Sequence, residues 1–314
     1  MGKFKKKFEN IDAYESFKIG DTYVEPHVAY ITGINNVIYK KYVEPSISLC
    51  DIAYWDGNNI KTIAKDKWSS SLGTPVGVVV IPEGMLPDGK ARMISLKPVD
   101  SNGNASTSHI AMKWSNDYET DTSLTNFTKV PITDNSGSTT TGSSNIGYLP
   151  SDKFTGAQSF VDAKAKYNGN YSFIPSPYLR DDKTLNPDYC KAINGYSNVL
   201  SDFNGLSNTQ TLVGLGSDYV AANAAWNYSD GVSSTQWYLP AMGELGFLMP
   251  RLNAINSTIT AVGGIEIDDI GYYDFLSSSE YNDEFVYVLG TDNGYISGDH
   301  IKDNRSYMRP FGLL

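Results

Sequence analysis

The sequence predicts an α+β fold that is rich in strands and ordered loops and contains a few helices. Among its 314 residues are 22 Tyr and 28 Gly, and only 19% of the residues are charged. Such chains usually form strands joined by turns. The run Val78-Val79-Val80-Ile81 is β-branched throughout, as in a fully buried strand. Leu245, Leu248, Leu252 and Ile255 recur at helical spacing, which adds a helix.

Further strands follow from alternation and turn signals. Asp56-Gly57 separates the apolar stretches 53–55 and 60–63 and predicts a hairpin. A turn at Pro87-Asp88-Gly89 returns the chain as a strand at 91–96. The tetrapeptide Tyr-Val-Glu-Pro occurs at 23–26 and again at 42–45. Other strands are predicted at 27–31, 46–49, 272–276, 285–289, 295–297 and 306–311.

Three helices are predicted. The first covers residues 158–167, and the second, at 218–228, is Ala-rich with Ser217 as its cap. The third begins after Pro240, and Pro250 should kink or break it because proline lacks the backbone donor. Residues 115–150 are rich in Ser, Thr, Asn and Gly and are expected to be long loops.

The first 74 residues differ from the rest. Four lysines stand among the first seven residues, and the segment holds few apolar residues for its length. We therefore expect an extended, β-rich segment at 1–74 that does not fold alone and leans on the second domain, a sister chain or a larger assembly. Residues 75–314 form the main domain.

Charge and hydropathy exclude several classes of function. The net charge of −10 repels phosphate backbones, so nucleic-acid binding is not expected. No apolar run approaches the roughly 20 residues of a membrane span. The lysine-rich start lacks the apolar stretch of a secretory signal, which favours a cytosolic protein or a particle assembled in a cytosol. Cys50 and Cys190 are predicted to be free thiols.

No catalytic constellation is expected, and we predict that the protein is not an enzyme. His27, His109 and His300 have no His or Cys partner at metal-binding spacing. Asp299 beside His300 is interpreted as a polar loop pair, because sequence neighbours rarely face each other as a catalytic pair must. The serines at 277–279 are not set in a Gly-x-Ser-x-Gly elbow.

Acidic residues are dense between 265 and 284, with no Lys or Arg among them. Hard oxygen ligands at this density could hold calcium, although there is no EF-hand order and acidic runs are usually solvated surface. We expect no metal or cofactor, with calcium as the alternative. The acidic residues are Glu266, Asp268, Asp269, Asp274, Glu280, Asp283 and Glu284.

The C-terminal part of the chain carries the candidate binding residues. Tyr supplies rigid contact area and Asn, Asp and Ser supply adaptable hydrogen bonds, a combination that also suits sugar rings. The predicted ligand-binding residues are Tyr281, Asn282, Asp283, Tyr287, Asn293, Tyr295, Asp299, Asn304 and Tyr307. Structural roles are assigned to Trp237, Glu244, Glu280 and Arg309, and Glu280 is expected to form an ion pair with Arg309. The alternative is that these loops are ordinary polar surface.

Several motifs resemble a known family. They are similar to the C-type-lectin-like domains of phage and gut-bacterial surface proteins, including domains with retroelement-diversified loops, and more distantly to formylglycine-generating enzymes. The resemblance covers residues 237–314 and extends to about residue 75, because the strand at 78–81 resembles the family's opening strand. The motifs are Trp237-Tyr238-Leu239-Pro240, Gly243-Glu244-Leu245, Ser277-Ser278-Ser279-Glu280-Tyr281-Asn282, Asn293-Gly294 and Arg309-Pro310.

The resemblance implies a C-type-lectin-like fold for residues 75–314, with some departures. Leu276 stands where the family usually has Trp. The Glu-Pro-Asn and Trp-Asn-Asp calcium motifs of lectins, their paired cysteines and the active cysteines of the oxidase have no counterpart here. Neither calcium-dependent sugar binding nor oxidase activity therefore follows.

The front segment carries a second resemblance. Residues 51–57, Trp68 and residues 71–78 are similar to N-terminal parts of virion proteins from crAss-like phages. This implies a bacteriophage structural protein, a head or tail fibre or decoration subunit on the virion exterior. Its partners would be other virion proteins through residues 1–74, further copies of itself as a dimer or trimer, and a host-surface glycan or protein. The alternatives are a purely structural role and an enzyme on the formylglycine-generating scaffold.

Overall fold

The computed structural model describes residues 28–32, 38–42, 47–86, 88–127, 132–133, 135–140, 147–149, 151, 171–173, 191–193, 199–232, 235–267, 274–291 and 294–314. Within these ranges the fold is α+β, with antiparallel sheets and a few helices, as the sequence predicts. The predicted helix at 158–167, together with Asn293, Asp268, Asp269 and Cys190, lies outside the described residues.

The strands are short. In chain order they are β1 (Val28–Thr32), β2 (Ile38–Tyr42), β3 (Ile52–Trp55), β4 (Ile60–Ile63), β5 (Thr74–Ile81), β6 (Arg92–Ser95), β7 (Met112–Lys113), β8 (Ile132–Thr133), β9 (Thr139–Thr140), β10 (Gly147–Tyr148), β11 (Tyr171–Phe173), β12 (Lys191–Ile193), β13 (Trp237–Tyr238), β14 (Phe275–Glu280), β15 (Phe285–Leu289), β16 (Tyr295–Ile301), β17 (Arg305–Ser306) and β18 (Phe311–Leu313).

The described α-helices all lie between residues 205 and 261. They are α1 (Gly205–Leu215), α2 (Val220–Trp226), α3 (Met242–Leu245) and α4 (Leu252–Ala261). Short 3-10 turns occupy Lys65–Lys67, Ser70–Leu72, Val199–Ser201 and Met249–Arg251. Among the described residues, none of the helices combines the length and the apolar character that crossing a bilayer requires.

The first large sheet brings distant parts of the chain together. Its strand order is β13-β18-β6-β5-β3-β4, and its pairings are antiparallel. The C-terminal strand lies beside β6, with Phe311 opposite Ile94 and Leu313 opposite Arg92. The hairpin of β3 and β4 has the predicted position and joins the same sheet through β5. The part of the front segment that forms β3 and β4 therefore belongs to this sheet, whereas β1 and β2 form a separate two-stranded sheet. The proposed boundary at 74/75 stays a prediction.

The second large sheet has the order β11-β12-β10-β16-β15-β14. Strand β15 alternates between two apolar clusters: Tyr287 and Leu289 belong to one, and Val286 and Val288 to the other. Both faces of this strand are therefore covered, which explains its unbroken apolar sequence.

Two of the predicted helices are present in the structure. The third predicted helix is interrupted where Pro250 stands, and it continues as α3, a 3-10 turn and α4, which confirms the break. The predicted Ala-rich helix is α2. Helix α1 is absent from the sequence prediction. Its threonines, asparagine and glycines are weak helix formers, and its position is set by burial of Thr209 and Leu212.

Two other predicted strands differ from the structure. Residues 47–50 form a turn, because Asp51 accepts a hydrogen bond from the backbone of Ser48 at 2.9 Å. The strand predicted at 306–311 is split into β17 and β18. Pro310 lies in this break, where it has no N–H to donate and its carbonyl accepts from the N–H of Ser95 at 3.0 Å.

Candidate functional site

The turn between β14 and β15 is built by one of the predicted ligand residues. The side-chain oxygen of Asn282 accepts from the backbone N–H groups of Glu284 at 2.9 Å and Phe285 at 2.8 Å. An Asn that bonds backbone groups two and three residues ahead stabilises a tight turn. Asn282 therefore shapes the loop, while the neighbouring Asp283 is exposed.

A second loop packs against this turn. The N–H of Thr120 donates to the carbonyl of Asp283 at 3.0 Å, and the N–H of Asn116 donates to the carbonyl of Asp218 at 2.9 Å. The N–H of Lys302 donates to the carbonyl of Glu284 at 3.1 Å. This bond brings residues 303–304 beside the turn. We call residues 116–121, 281–284 and 303–304 together the hairpin-end surface.

A buried ion pair lies beneath the hairpin-end surface. The ammonium of Lys302 donates to the carboxylate of Glu280 and to the carbonyl and hydroxyl of Thr120, both at 3.0 Å. Thr122 donates its hydroxyl to the other carboxylate oxygen at 2.5 Å. The ring of Trp114 lies 5.1 Å from the ammonium. Because Thr120 and Thr122 belong to the second loop, this pair fastens that loop to the β14–β15 hairpin.

Burial is the largest influence on the charges of this pair. The side chains of Lys302 and Glu280 are 0% and 2% exposed. Burial raises the pKa of Glu280 and lowers the pKa of Lys302, while the hydrogen bond and the charge attraction between them oppose both shifts. Each charged group therefore depends on the other for its stability in this environment.

The hairpin-end surface is acidic and carries one prominent aromatic ring. Tyr118 is 43% exposed, and a hydrogen bond with Glu284 raises its pKa. The three segments contain no Lys or Arg. Their carboxylates are Asp117, Glu119, Asp121, Asp283, Glu284 and Asp303.

The structure gathers part of the predicted ligand set on this surface. Tyr281, Asn282, Asp283 and Asn304 belong to it. Two other predicted ligand residues lie elsewhere in the second sheet. Tyr295 donates its hydroxyl to Asp274 at 2.7 Å, and Asp299 is half-buried within β16 beside Ser297.

Two predicted ligand residues lie in the interior. Tyr287 is completely buried and donates its hydroxyl to the carbonyl of Phe127. Tyr307 is 9% exposed and packs with the ring of His109 at 5.7 Å. Tyr287 lies in β15, and both faces of this strand are covered by apolar clusters. A side chain on either face of this strand is therefore buried.

The residues assigned structural roles lie in the interior. Glu244 accepts from the hydroxyl of Tyr238 at 2.9 Å, from Arg92 at 3.3 Å and from the N–H of Ala241 at 2.9 Å. Burial raises the pKa of Glu244 to about 7, against the opposing positive charge of Arg92. Trp237 is 1% exposed and packs edge-on against Tyr228 at 5.0 Å.

The predicted ion pair between Glu280 and Arg309 is wrong. Glu280 pairs with Lys302. Arg309 is fully buried and donates to the carbonyls of Ser95 at 3.0 Å and Leu96 at 3.1 Å, and to that of Ile265. Burial lowers the pKa of Arg309 to about 9, so its guanidinium remains charged at neutral pH. The carbonyls of neighbouring chain segments, rather than a carboxylate, surround this cation among the described residues.

Sequence reasoning missed Lys302, Trp114, Thr120 and Thr122. They lie up to 188 positions apart in sequence, and a lysine flanked by Ile301 and Asp303 has no feature that predicts complete burial. Arg92 was missed for the same reason. A signal was present for Trp237, Glu244, Glu280 and Arg309, because all four lie in the resemblance motifs.

Three described carboxylates of the acidic stretch between 265 and 284 bind different partners. The carboxylate of Glu266 accepts from Thr260 at 2.8 Å, that of Asp274 from Tyr295, and that of Glu280 from Lys302. In the ranges that the structure describes, no three His, Cys, Asp or Glu side chains lie together in a way that could hold a metal ion.

Comparisons with known proteins give few matches. No protein-family model and no curated protein matches the chain. Among solved structures, a fimbrial protein from Bacteroides ovatus is similar over 85% of this chain and 49% of that protein, with 14% sequence identity and a TM-score of 0.42. The chain spans about half the length of that protein.

Proposed function

We propose that the chain is a non-enzymatic adhesive subunit of a phage particle, with residues 75–314 as a C-type-lectin-like display domain. The observation that carries the adhesive role is the hairpin-end surface. It presents an exposed tyrosine, carboxylates and amides on loops that a buried ion pair holds in place. Loops fixed on a rigid scaffold are suited to binding, because less freedom is lost when a ligand arrives.

The arrangement of the resemblance motifs supports the C-type-lectin-like fold. Trp237 and Glu244 are buried in the scaffold, and the C-terminal strand β18 lies in the same sheet as β5 and β6. The serines at 277–279 are also buried. These buried side chains support the loops, while Tyr281 and Asn282 of the same motifs lie on the hairpin-end surface, as expected if the motifs define a fold and neighbouring loops bind.

The proposed location of the protein on a phage particle depends on the front segment, residues 1–74, and on its resemblance to virion proteins. Strands β1 and β2 form a two-stranded antiparallel sheet apart from the two large sheets. A two-stranded hairpin has little stability by itself in water. We therefore propose that residues 1–74 contact other virion proteins or sister copies, in a dimer or trimer, and that the assembled subunit faces the exterior of the virion.

The adhesive role is tested by binding of the full chain to a panel of gut bacteria and to glycan and protein arrays. Removing the exposed ring and one carboxylate in Tyr118→Ala/Asp283→Ala should weaken binding at least tenfold. Leu215→Ala is the matched control, because Leu215 is 51% exposed and lies at the end of α1 outside the hairpin-end surface.

Three results would decide against this proposal. Binding that is unchanged in the double variant would remove the hairpin-end surface from the interaction. A wild-type chain that contacts no cell or array but co-purifies with particles would favour the purely structural role. Turnover of any substrate that is lost in Cys50→Ser/Cys190→Ser would favour the enzyme.

A further inference from the structure

A groove of about 240 Å³ lies between α1 and the turn that joins β5 to β6. It shares no residue with the hairpin-end surface. Its lining combines apolar side chains with polar groups of several kinds. The lining residues are Leu86, Asp88, Arg92, Phe203, Asn204, Leu206, Ser207 and Gln210.

The floor of the groove is rigid. Arg92 is 4% exposed and donates to the fully buried Glu244 and to the carbonyl of Lys90 at 3.0 Å. Helix α1 lies directly on this network, since a Cβ added to Gly205 would be 2.1 Å from a carboxylate oxygen of Glu244. The groove therefore has a fixed shape before any ligand arrives.

Asp88 places a carboxylate at the rim. Its side chain is 46% exposed and accepts from Arg92 at 2.8 Å and from the N–H of Lys90 at 3.1 Å. Partial burial alone would raise the pKa of Asp88, but these hydrogen bonds and the charges of Arg92 and Lys90 together lower it. The carboxylate is thus ionised at neutral pH and keeps lone pairs available to a ligand.

The wall formed by α1 offers amides and a hydroxyl. Asn204, Ser207 and Gln210 are spaced three residues apart, so they follow one side of the helix, and all three are exposed. Phe203 lies at the start of this wall and is held by an edge-on contact with Phe247 at 6.1 Å. It adds a half-buried aromatic surface to the groove.

We propose that this groove is a second binding site, which takes one neutral saccharide ring. Asp88 would accept hydrogen bonds from two adjacent hydroxyl groups, and Phe203 would contact a C–H face of the ring. The amide of Gln210 would bind a further hydroxyl, as would the amide oxygen of Asn204, whose NH2 group already donates to Asp202 at 3.1 Å. Charge-assisted hydrogen bonds from hydroxyls to a carboxylate are the strong polar contacts in such an arrangement.

The chemistry of the groove disfavours anionic and purely apolar ligands. An anionic ligand would meet the charge of Asp88, and Arg92 already donates to the carboxylate of Asp88 and to the carboxyl group of Glu244. A purely apolar ligand would cover Asp88 and the amides without bonding them, which is costly. The volume is smaller than that of drug-sized pockets, which favours a single ring over an extended molecule. This site does not depend on the adhesive role of the hairpin-end surface.

The test uses the full chain on an array of glycans, followed by calorimetric titration with the best-bound monosaccharide. Ser207→Trp fills the groove, and Asp88→Asn removes the ionised acceptor while keeping the side chain's shape. Each should weaken binding at least tenfold. Leu215→Trp adds the same ring at an exposed site at the end of α1 and should leave the affinity unchanged.

Gln210→Ala serves as a further variant, because an exposed helical alanine does not threaten folding. It should weaken binding severalfold. The proposal is overturned if no saccharide binds the wild-type chain. It is equally overturned if Ser207→Trp and Gln210→Ala bind as tightly as wild type, or if Tyr118→Ala/Asp283→Ala alone abolishes saccharide binding.

Discussion

Glu244 and Glu280 are both buried carboxylates paired with a cation, but they connect different parts of the molecule. Glu244 accepts from Ala241 and Tyr238, which are three and six residues away, and its pair with Arg92 joins α3 to β6. Glu280 accepts from Lys302 and from Thr122, which is 158 residues away, and joins a surface loop to a hairpin. The first network holds the interior together, and the second holds the candidate binding surface in place.

The largest change in the free energy of unfolding is expected at Glu244. Glu244→Ala leaves the guanidinium of Arg92 buried without its interior partner, which should lower the free energy of unfolding by about 3–5 kcal/mol. Chemical denaturation measures this change. Glu119→Ala, at an exposed carboxylate, should stay within about 0.5 kcal/mol of wild type. A loss below about 1 kcal/mol for Glu244→Ala would show that the network contributes little.

The same residue predicts a pH dependence. The pKa of Glu244 is raised from 4.5 to about 7 in the folded chain, so the folded state holds a proton that the unfolded chain has released. Its contribution to stability is fully present below about pH 4.5 and is lost as the pH rises through 7, by up to roughly 3 kcal/mol. Denaturation of wild type and Glu244→Gln across this range isolates the contribution of this carboxyl group to the free energy of unfolding. Parallel pH profiles would contradict the assignment.

Breaking the ion pair of Glu280 and Lys302 should affect mainly the loop that it fastens. Lys302→Met leaves Glu280 buried without a cation, at a cost of about 3 kcal/mol. Hydrogen exchange should become faster in residues 116–122, which the pair fastens, while α4 keeps its protection. Adding Glu280→Gln should recover part of the stability, because no buried charge then remains unpaired. Equal acceleration in α4 would mean that the pair stabilises the whole domain.

Two glycines of α1 provide the smallest and best-controlled test. Gly205→Ala places a methyl group 2.1 Å from Glu244 and 2.7 Å from the N atom of Ala241, so it should destabilise by about 1–3 kcal/mol. Gly214 has no atom within 4 Å of such a methyl group. Gly214→Ala in the same helix should therefore stabilise by about 0.5–1 kcal/mol. Thermal or chemical unfolding of both variants measures the contrast.

Apolar patterns and proline positions predicted the elements that depend on neighbouring residues in the sequence. Strand β15 has the predicted bounds, and α4 begins after the predicted break at Pro250. Helix α1 was missed because Thr209 is stabilised there by a hydrogen bond with the N–H of Leu239 at 3.0 Å, which local propensity does not include. Tyr287 was predicted as a ligand residue from its residue type, and that local signal does not say whether both faces of its strand are covered.

The sequence by itself determined the α+β class, the hairpin at 52–63 and the buried strand at 78–81. Periodicity, turn residues and proline act over a few neighbouring positions, so they can be read without the fold. Only the tertiary structure decided which charges meet. Lys302 rather than Arg309 pairs with Glu280, and Arg92 lies beside Glu244, because burial makes an unpaired charge costly and selects partners by position in space.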